Sequence, residues 1–415
     1  MAVPVPAPRI ARFERLAFGL FLHFGLYSQL GKGEWIKYRA AMTPEEYEPL
    51  KDTFTAADFD TREIARLAKA AGMKYITLTT RHHDGFSLYD TCGLNDYDAP
   101  HSAAKRDLVA EFVEGCRSEG IVPFFYHTTL DWRWNTRACD EATFNEYLDY
   151  LHESVRILCQ NYGPIGGFWF DGNWSRPQAD WKEDLLYGII RRYQPEAMII
   201  NNTGLSARGA LGHPEIDSTT FEQALPGPVN REGWPKYVAG EMCQTLNRHW
   251  GIALDDLHYK SPAQVIEDLT RCRRVGANFL LNIGPTATGA IPEYEAALIR
   301  LVGRWIARHG DVIYNGKPTS YVCTGRDFIL AANDKLYLFV YDLSIRGDAN
   351  VTVAAGGSGP RVINGLKQPI KEIRWLDNGE PLTFTQNTDA GFAAINLTGY
   401  PYGTDWVVRV AEISI

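Results

Sequence analysis

The chain of 415 residues is too long for one small hydrophobic core, so we expect two domains. Its 45% hydrophobic and 22% charged residues are ordinary for a soluble globular protein, and flat aromatic side chains are plentiful. The net charge of −8 and the lack of any long basic block argue against a nucleic-acid partner.

Short apolar runs alternate with helical patterns through the first three quarters of the chain. This alternation indicates a parallel sheet with helices outside, and about seven such units in roughly 300 residues favour a (β/α)8-like barrel. The alternative is an open doubly wound sheet, which would usually carry a nucleotide site with a G-x-G-x-x-G turn, and no such turn is present. The predicted strands are Ala17–Phe24, Tyr75–Thr80, Val122–His127, Gly167–Asp171, Met198–Asn202, Tyr237–Cys243 and Asn278–Gly284, and the predicted helices are Thr61–Ala71, Lys105–Ser118, Phe144–Tyr162, Ser261–Val275 and Pro292–Arg308.

The pattern changes near the C-terminal quarter to short alternating strands separated by turns such as Asp377-Asn378-Gly379. This pattern predicts a C-terminal all-β sandwich. We place the barrel domain at residues 1–318 and the β-sandwich domain at residues 319–415. The predicted strands here are Asp327–Ala332, Lys335–Tyr341, Asn350–Ala354, Glu372–Leu376, Phe392–Leu397 and Trp406–Ile413.

The cysteines and the N-terminal residues suggest where the protein works. Seven cysteines are scattered without a Cys-x-x-Cys pair, which argues against a structural zinc site and a disulfide framework. The first residues lack the features of a secretory signal, and no run of about 18 apolar residues is present. We expect a cytoplasmic protein with no membrane segment and no cofactor, and we leave open whether it forms a homo-oligomer.

Asp171 ends the uncharged run Gly166–Phe170 and is followed by Gly172. Such a run is typical of a buried strand whose last residue projects a carboxylate into a cleft, although the same aspartate could simply cap a turn. Strand ends are where barrel enzymes keep their chemistry. Asp171 is therefore our first candidate for a functional residue.

Polar and aromatic clusters lie at or just after the ends of three other predicted strands. Because all strands of a parallel barrel run the same way, these ends meet on one face. Neutral histidines and tryptophans there would form a pocket for a polyol, with hydrogen bonds at the rim and stacking on flat faces. The clusters are His23–Ser28 followed by Glu34 and Trp35, Thr79–Phe86 with His82 and His83, and Tyr126 with His127; Trp169 lies beside Asp171.

The histidines could instead bind a metal. His82 and His83 are adjacent, so in a strand they would point to opposite sides. No His-x-His or His-Glu-x-x-His pattern occurs. We therefore expect no catalytic metal.

These segments resemble the retaining α-L-fucosidases of glycoside hydrolase family 29. The similarity lies in the residues of several short sequence blocks and in the order of these blocks along the chain. The blocks His-His-Asp-Gly-Phe and Leu-Leu-Asn-Ile-Gly-Pro are the most specific. The resemblance implies that Asp171 is the nucleophile and that the family uses no catalytic metal. It implies that the sugar is held by His23, Glu34, Trp35, His82, His83, Tyr126, Trp169 and Arg208. The matching blocks are His23–Ser28, Gly33–Trp35, Thr80–Phe86, Tyr97–Pro100, Arg106-Asp107, Trp169–Gly172 and Asn278–Pro285.

A retaining glycosidase needs a second carboxyl group, which donates a proton to the leaving oxygen. We choose Glu222, in a segment Thr219–Pro226 that is similar to a Thr-Pro-Glu-Gln element of the family, with Phe221 in the place of its proline. Glu241 is the alternative acid/base and Glu215 is a third candidate. We expect Asp217 at the same strand end as Glu222.

The sequence thus predicts an exo-acting retaining α-L-fucosidase that acts on a fucosylated oligosaccharide or glycoside. Two alternatives belong to other classes. One is a non-catalytic fucose-binding protein on the same scaffold, and the other is a metal-dependent barrel hydrolase that uses the histidines.

Overall fold

Eight parallel strands close into a barrel in the order in which they follow one another in the sequence. The structure is a computed structural model that describes residues 3–203, 205, 209–229, 235–346 and 359–415. The closed barrel confirms the predicted (β/α)8-like fold and excludes the open sheet. Its strands are β1 (Phe18–Leu22), β2 (Tyr75–Arg81), β3 (Val122–Thr128), β4 (Gly167–Asp171), β5 (Met198–Asn201), β6 (Ser218–Glu222), β7 (Ala239–Thr245) and β8 (Asn278–Ile283).

The strand β6 is the one barrel strand that the sequence-based prediction omits. Its residues are Ser-Thr-Thr-Phe-Glu, so it lacks the apolar run that marks its neighbours. The strand is nevertheless buried, because its hydroxyl groups find acceptors inside the barrel: Thr220 Oγ1 donates to Asn202 Oδ1 at 2.8 Å. Asp217 precedes β6 and Glu222 ends it, so the prediction that they share a strand end is wrong. Five residues of strand, about 17 Å, separate the two ends.

Helices follow most of the barrel strands, and several begin at side-chain caps. Asp60, Asp107 and Asp140 each accept backbone N–H groups of the first turn of the following helix, an arrangement worth about 1 kcal/mol per helix. Among the described residues, no helix is long and apolar enough to cross a membrane. The helices are α1 (Pro8–Leu16), α2 (Ile36–Arg39), α3 (Pro44–Tyr47), α4 (Thr61–Ala70), α5 (Leu108–Glu119), α6 (Glu141–Asn161), α7 (Glu183–Tyr193), α8 (Pro262–Arg274) and α9 (Glu293–Asn315), with short 3-10 helices at Leu26–Gln29, Glu48–Asp52 and Asn173–Ser175.

Aromatic side chains fill the barrel interior. The rings of Tyr75 and Phe124 pack on Phe13 of α1 at 5.6 and 5.7 Å between centroids, near the amino ends of the strands. Gly19 makes room for one of them, because a Cβ at that position would lie only 2.4 Å from the Tyr75 ring. Toward the carboxyl ends the same core continues through Phe21, Tyr126 and Trp169, so the floor of the cleft above is rigidly packed.

The chain forms two compact units, Met1–Lys260 with Ala277–Arg300 and Ser261–Gly276 with Leu301–Ile415. The second unit contains two antiparallel sheets that share one apolar core, in agreement with the predicted β-sandwich. The boundary at residue 318 stays a prediction, and the predicted strand Asn350–Ala354 lies outside the described residues. The strands are β9 (Lys317–Pro318), β10 (Val322–Cys323), β11 (Phe328–Ala332), β12 (Lys335–Val340), β13 (Pro360–Asn364), β14 (Glu372–Trp375), β15 (Thr383–Asn387), β16 (Phe392–Asn396) and β17 (Arg409–Ser414), in the sheet orders β10-β13-β16-β15 and β14-β17-β12-β11-β9.

Candidate active site

A pocket of about 90 Å³ opens where the barrel strands end. Its walls combine flat aromatic rings with imidazole, amide and carboxyl groups, a composition suited to a small polyol. The pocket contains most of the residues that the sequence analysis selects. Its lining residues are Phe21, His23, Trp35, His82, His83, Tyr126, Trp169, Asp171, Trp174, Asn202, Leu205, Glu222 and Trp250.

Asp171, the last residue of β4, is surrounded by neutral hydrogen-bond donors. The Tyr126 hydroxyl donates to Oδ2 at 3.1 Å, while the Trp174 indole and the Asn202 amide donate to Oδ1 at 2.7 and 3.3 Å. Burial and the adjacent carboxylate raise the pKa of Tyr126 well above its usual value, so its hydroxyl keeps the proton that it donates. These donors hold the carboxylate in place, and none of them carries a charge.

Glu222, the last residue of β6, is linked to Asp171 through one amide. Asn202 Nδ2 donates to Glu222 Oε2 at 2.7 Å and to Asp171 Oδ1 at 3.3 Å. These two carboxyl oxygens are therefore at most 6.0 Å apart, the sum of the two contacts. The Thr220 hydroxyl donates to the other end of the same amide, which fixes its orientation.

Three buried histidines line the pocket as neutral rings. Burial lowers the pKa of His23 to about 3 and lowers the pKa of His83, although the nearby Asp171 carboxylate opposes the second shift. Burial and the neighbouring imidazoles also lower the pKa of His82. Neutral imidazoles offer both hydrogen-bond donors and acceptors, which sugar hydroxyls can use in either direction.

Two tryptophans form flat walls of the pocket. The Trp169 ring lies 5.8 Å from the Tyr126 ring at an angle of 20°. The Trp35 ring lies 5.4 Å from the His83 ring and 6.1 Å from the Trp174 ring. The exposed C–H face of a sugar can pack on such surfaces.

Two acids that the sequence analysis associates with the site have other partners. Glu34 Oε2 accepts the backbone N–H groups of Trp250 and Gly251 at 3.1 and 2.8 Å, and burial raises the pKa of Glu34. Glu241 accepts hydrogen bonds from the Tyr75 hydroxyl and from the Trp169 indole, and burial raises its pKa to about 7. Neither glutamate is among the described lining residues.

The remaining candidates lie elsewhere. Glu215 accepts a hydrogen bond from Arg191 at 2.9 Å and precedes the amino end of β6, on the side opposite to Glu222. Arg208 lies outside the described residues. In the part of the chain that the structure describes, no three His, Cys, Asp or Glu side chains are grouped to hold a metal ion.

The sequence analysis does not select Asn202 and Trp174 as site residues. Asn202 closes the predicted strand Met198–Asn202, so the rule applied to the other strand ends could have found it. Trp174 lies three residues after Asp171, and only the 3-10 turn Asn173–Ser175 returns its indole to the carboxylate. No spacing rule predicts that contact.

The arrangement supplies two carboxyl groups with different surroundings in one small pocket. One carboxyl group accepts hydrogen bonds from three neutral donors, and the other shares the Asn202 amide with it. Such a pair can provide a nucleophile and a proton donor for one bond.

Comparison with known proteins gives concordant matches. A family model described as alpha-L-fucosidase matches residues 6–311. Human tissue alpha-L-fucosidase is 27% identical over 342 residues, which cover 75% of this chain and 70% of that protein. The structure of alpha-L-fucosidase isoenzyme 1 from Paenibacillus thiaminolyticus matches with a TM-score of 0.81 and 33% identity over 98% of both chains. The Thermotoga maritima alpha-fucosidase in complex with a mechanism-based inhibitor matches with a TM-score of 0.77 and 26% identity over 99% of this chain and 97% of that chain.

Proposed function

Because the chain belongs to the alpha-L-fucosidase family of glycoside hydrolases, we propose that it is an exo-acting, retaining α-L-fucosidase. Its substrates are terminal α-linked L-fucose units of oligosaccharides or glycosides. Asp171 is the nucleophile and Glu222 is the general acid and base. The product is L-fucose with the same anomeric configuration as the substrate.

The separation of the two carboxyl groups carries this proposal. Retaining glycosidases hold their carboxyl groups about 5–5.5 Å apart, whereas inverting enzymes need about 6.5–9.5 Å to admit a water molecule. The Asn202 amide limits Asp171 Oδ1 and Glu222 Oε2 to at most 6.0 Å. This limit supports direct attack by Asp171, because an inverting enzyme holds its base farther away to admit a water molecule at the anomeric carbon.

The reaction then has two balanced steps. In the first step, Asp171 forms a bond to the anomeric carbon while the bond to the glycosidic oxygen breaks, and that oxygen takes the proton of Glu222. In the second step, the Glu222 carboxylate takes a proton from water, whose oxygen attacks the anomeric carbon and displaces Asp171. Two inversions give net retention.

The rest of the pocket supports recognition of one terminal sugar. His23, His82 and His83 meet the ring hydroxyls, and Trp35 and Trp169 cover its apolar faces. We propose sugar contacts for Glu34 and Arg208 on the family resemblance alone. Glu241 has a different role in this proposal, because both of its oxygens hold neighbouring side chains.

The stereochemical course tests the proposal directly. With an aryl α-L-fucoside, proton NMR should detect α-L-fucose first, followed by mutarotation. Asp171→Gly should lose hydrolysis and, with added azide, should form β-L-fucosyl azide. Initial release of β-L-fucose, or an Asp171→Gly variant that hydrolyses the fucoside normally, would contradict the double displacement.

The identity of the proton donor has its own test. Glu222→Ala should turn over slowly when the leaving group is poor and almost normally when it is activated, because only the poor leaving group needs the proton. Glu241→Ala is the matched control, and if it shows this pattern instead the two roles are exchanged. Glycan binding without release of fucose would favour a binding protein. Activity lost to a chelator and restored by zinc would favour a metal-dependent hydrolase.

A further inference from the structure

The His23 imidazole is held by a chain of hydrogen bonds that ends at a backbone carbonyl. Asn282 Nδ2 donates to the Trp250 carbonyl oxygen at 2.7 Å. A carbonyl can only accept, so the amide must turn its own oxygen toward the imidazole, where Asn282 Oδ1 lies 2.6 Å from His23 Nδ1. An amide oxygen also only accepts, and His23 Nδ1 must therefore carry a proton.

The His83 imidazole is held by a separate chain of the same kind. The Thr128 hydroxyl donates to the Leu130 carbonyl oxygen at 2.5 Å, which uses its only proton. The same hydroxyl oxygen lies 2.6 Å from His83 Nδ1, so it accepts a proton from that nitrogen. The other nitrogen of this ring, Nε2, lies 3.5 Å from Asp171 Oδ2, so His83 faces a carboxylate and the contacts do not leave that nitrogen free of a proton.

We infer that Asn282 is a positioning residue that fixes His23 as the Nδ1–H tautomer, so that its ring presents Nε2 to the sugar as a hydrogen-bond acceptor. This inference rests on the proposed function for the identity of the ligand. The proton on Nδ1 follows from the contacts alone. The pocket then requires a hydroxyl that donates a proton to His23.

The surroundings of His23 keep its Nε2 without a proton. The titratable groups that face it are His82 and Tyr126, whose rings lie 5.5 and 5.7 Å away, and His83, which lowers its pKa through charge repulsion. The rings of Phe21 and Trp250 cover the remaining sides and carry no charge. None of these neighbours is a carboxylate that could stabilise an imidazolium ion.

The unprotonated Nε2 affects substrate specificity through the hydrogen bonds that it can make. A hydroxyl group donates its proton to an unprotonated Nε2, whereas a methyl ether or a fluorine at the same carbon can only accept. Substrates modified in this way leave the buried nitrogen without a partner, and polar groups left unpaired in a closed site cost far more than lost packing. The relay at His23 therefore selects for a free hydroxyl at this position.

Histidine-selective NMR of the whole protein labelled with 15N tests the tautomers without relying on activity. His23→Gln and His83→Gln assign the signals. We expect the His23 ring to show a proton on Nδ1 and an unprotonated Nε2 in the free protein at pH 7. A proton on Nε2 of His23 would overturn the inference, whether or not the protein hydrolyses fucosides.

Asn282→Asp tests the functional consequence. The aspartate still accepts the Nδ1 proton, but its charge stabilises an imidazolium, which adds a proton to Nε2 and turns it into a donor. The kcat/KM for an aryl α-L-fucoside should fall by about tenfold for each pH unit below the new pKa of His23 and recover above it. A pH profile with the wild-type shape would overturn the inference.

Asn278→Asp is the matched control, because Asn278 lies on the same strand and its Nδ2 donates to the Phe13 carbonyl oxygen at 2.8 Å. Both variants lose an amide-to-carbonyl hydrogen bond, but Asn278 lies at the amino end of β8 and does not line the pocket. We expect both variants to lose stability and only Asn282→Asp to change the pH profile. Equal changes in both profiles would attribute the effect to stability and overturn the role of Asn282.

Discussion

Two aspartates at opposite ends of the barrel differ in burial and in the charge of their surroundings: Asp217 is fully buried and Asp171 is half-buried. Asp217, just before β6, is paired with three cations. Arg9 Nε donates to Oδ2 at 3.0 Å, Arg191 Nη2 to Oδ2 at 2.7 Å and Lys236 Nζ to Oδ1 at 3.1 Å. Asp171, at the other end, receives hydrogen bonds from neutral groups among the residues that the structure describes. Cations compensate the charge of the first carboxylate, whereas the described donors of the second carry no charge.

This difference separates a structural acid from a reactive one. A carboxylate that accepts most of its hydrogen bonds from cations, as Asp217 does, is stabilised in its ground state and is a weak nucleophile. Three neutral donors hold Asp171 in place but leave its negative charge available to the anomeric carbon. The contrast predicts that removing one carboxylate abolishes the chemistry, while removing the other weakens the fold.

The largest expected effect is that of Asp171→Asn on activity. An amide has the size of the carboxylate but cannot form the glycosyl-enzyme, so kcat/KM for an aryl α-L-fucoside should fall by roughly 10^4-fold or more. The melting temperature should stay the same or rise, because the described donors to this carboxylate are neutral and no ion pair with them is lost. Steady-state kinetics and a thermal melt measure both. Activity within tenfold of wild type would remove Asp171 from the mechanism.

Asp217→Asn should have the opposite effects, a loss of stability with activity retained. Breaking a buried ion pair leaves uncompensated charges, and we expect a loss of about 3 kcal/mol in the free energy of unfolding. The folded fraction should keep its kcat, because the change lies at the far end of the barrel. Urea unfolding and kinetics below the melting temperature test this pair of outcomes. A stable Asp217→Asn protein that has lost catalysis would contradict the structural role of Asp217.

The pH dependence of stability sharpens the same contrast. Burial alone would raise the pKa of Asp217, but the Arg9 hydrogen bond and the charges of Arg191 and Lys236 outweigh it, so its pKa lies below the ordinary value. The stabilisation is therefore complete above about pH 4, the ordinary carboxyl pKa, and is lost as the pH falls through the lower pKa of the folded state. The stability gap between wild type and Asp217→Asn should be constant at neutral pH and close in acid. A gap that widens in acid would contradict this assignment.

The sequence predicted the position of Asp171 in the barrel better than the positions of Asp217 and Glu222, for physical reasons. An apolar run marks β4, so Asp171 could be placed at its carboxyl end. The strand β6 has almost no apolar residues, and without its bounds Asp217 and Glu222 could not be assigned to opposite ends. Contacts made by loops, such as that of Trp174 with Asp171, depend on backbone turns that periodicity does not encode.

A smaller effect is expected from Trp174→Phe, which removes one neutral donor from Asp171 and keeps the aromatic wall. Hydrogen bonds to charged groups contribute about 1.5–3 kcal/mol, so kcat/KM should fall by roughly 10- to 100-fold. Trp35→Phe is the matched control, since the Trp35 ring lies in the same wall but, in the part of the chain that the structure describes, donates no hydrogen bond to Asp171. Equal losses in kcat for both variants would show that the wall, and not the donor, matters.

The smallest effect should come from Glu241→Gln. Glu241 is buried, and burial raises its pKa to about 7. The Trp169 indole can donate to an amide oxygen as it does to Glu241 Oε1 at 2.9 Å, and the Tyr75 hydroxyl can accept from the amide nitrogen. Both contacts therefore survive, and kcat/KM should change by less than about threefold. Glu241→Leu removes both contacts and should lower kcat/KM further, chiefly by raising KM, because Trp169 is then free to move away from the sugar face. A Glu241→Gln variant that fails only with poor leaving groups would instead make Glu241 the proton donor, and Glu222 would lose that role.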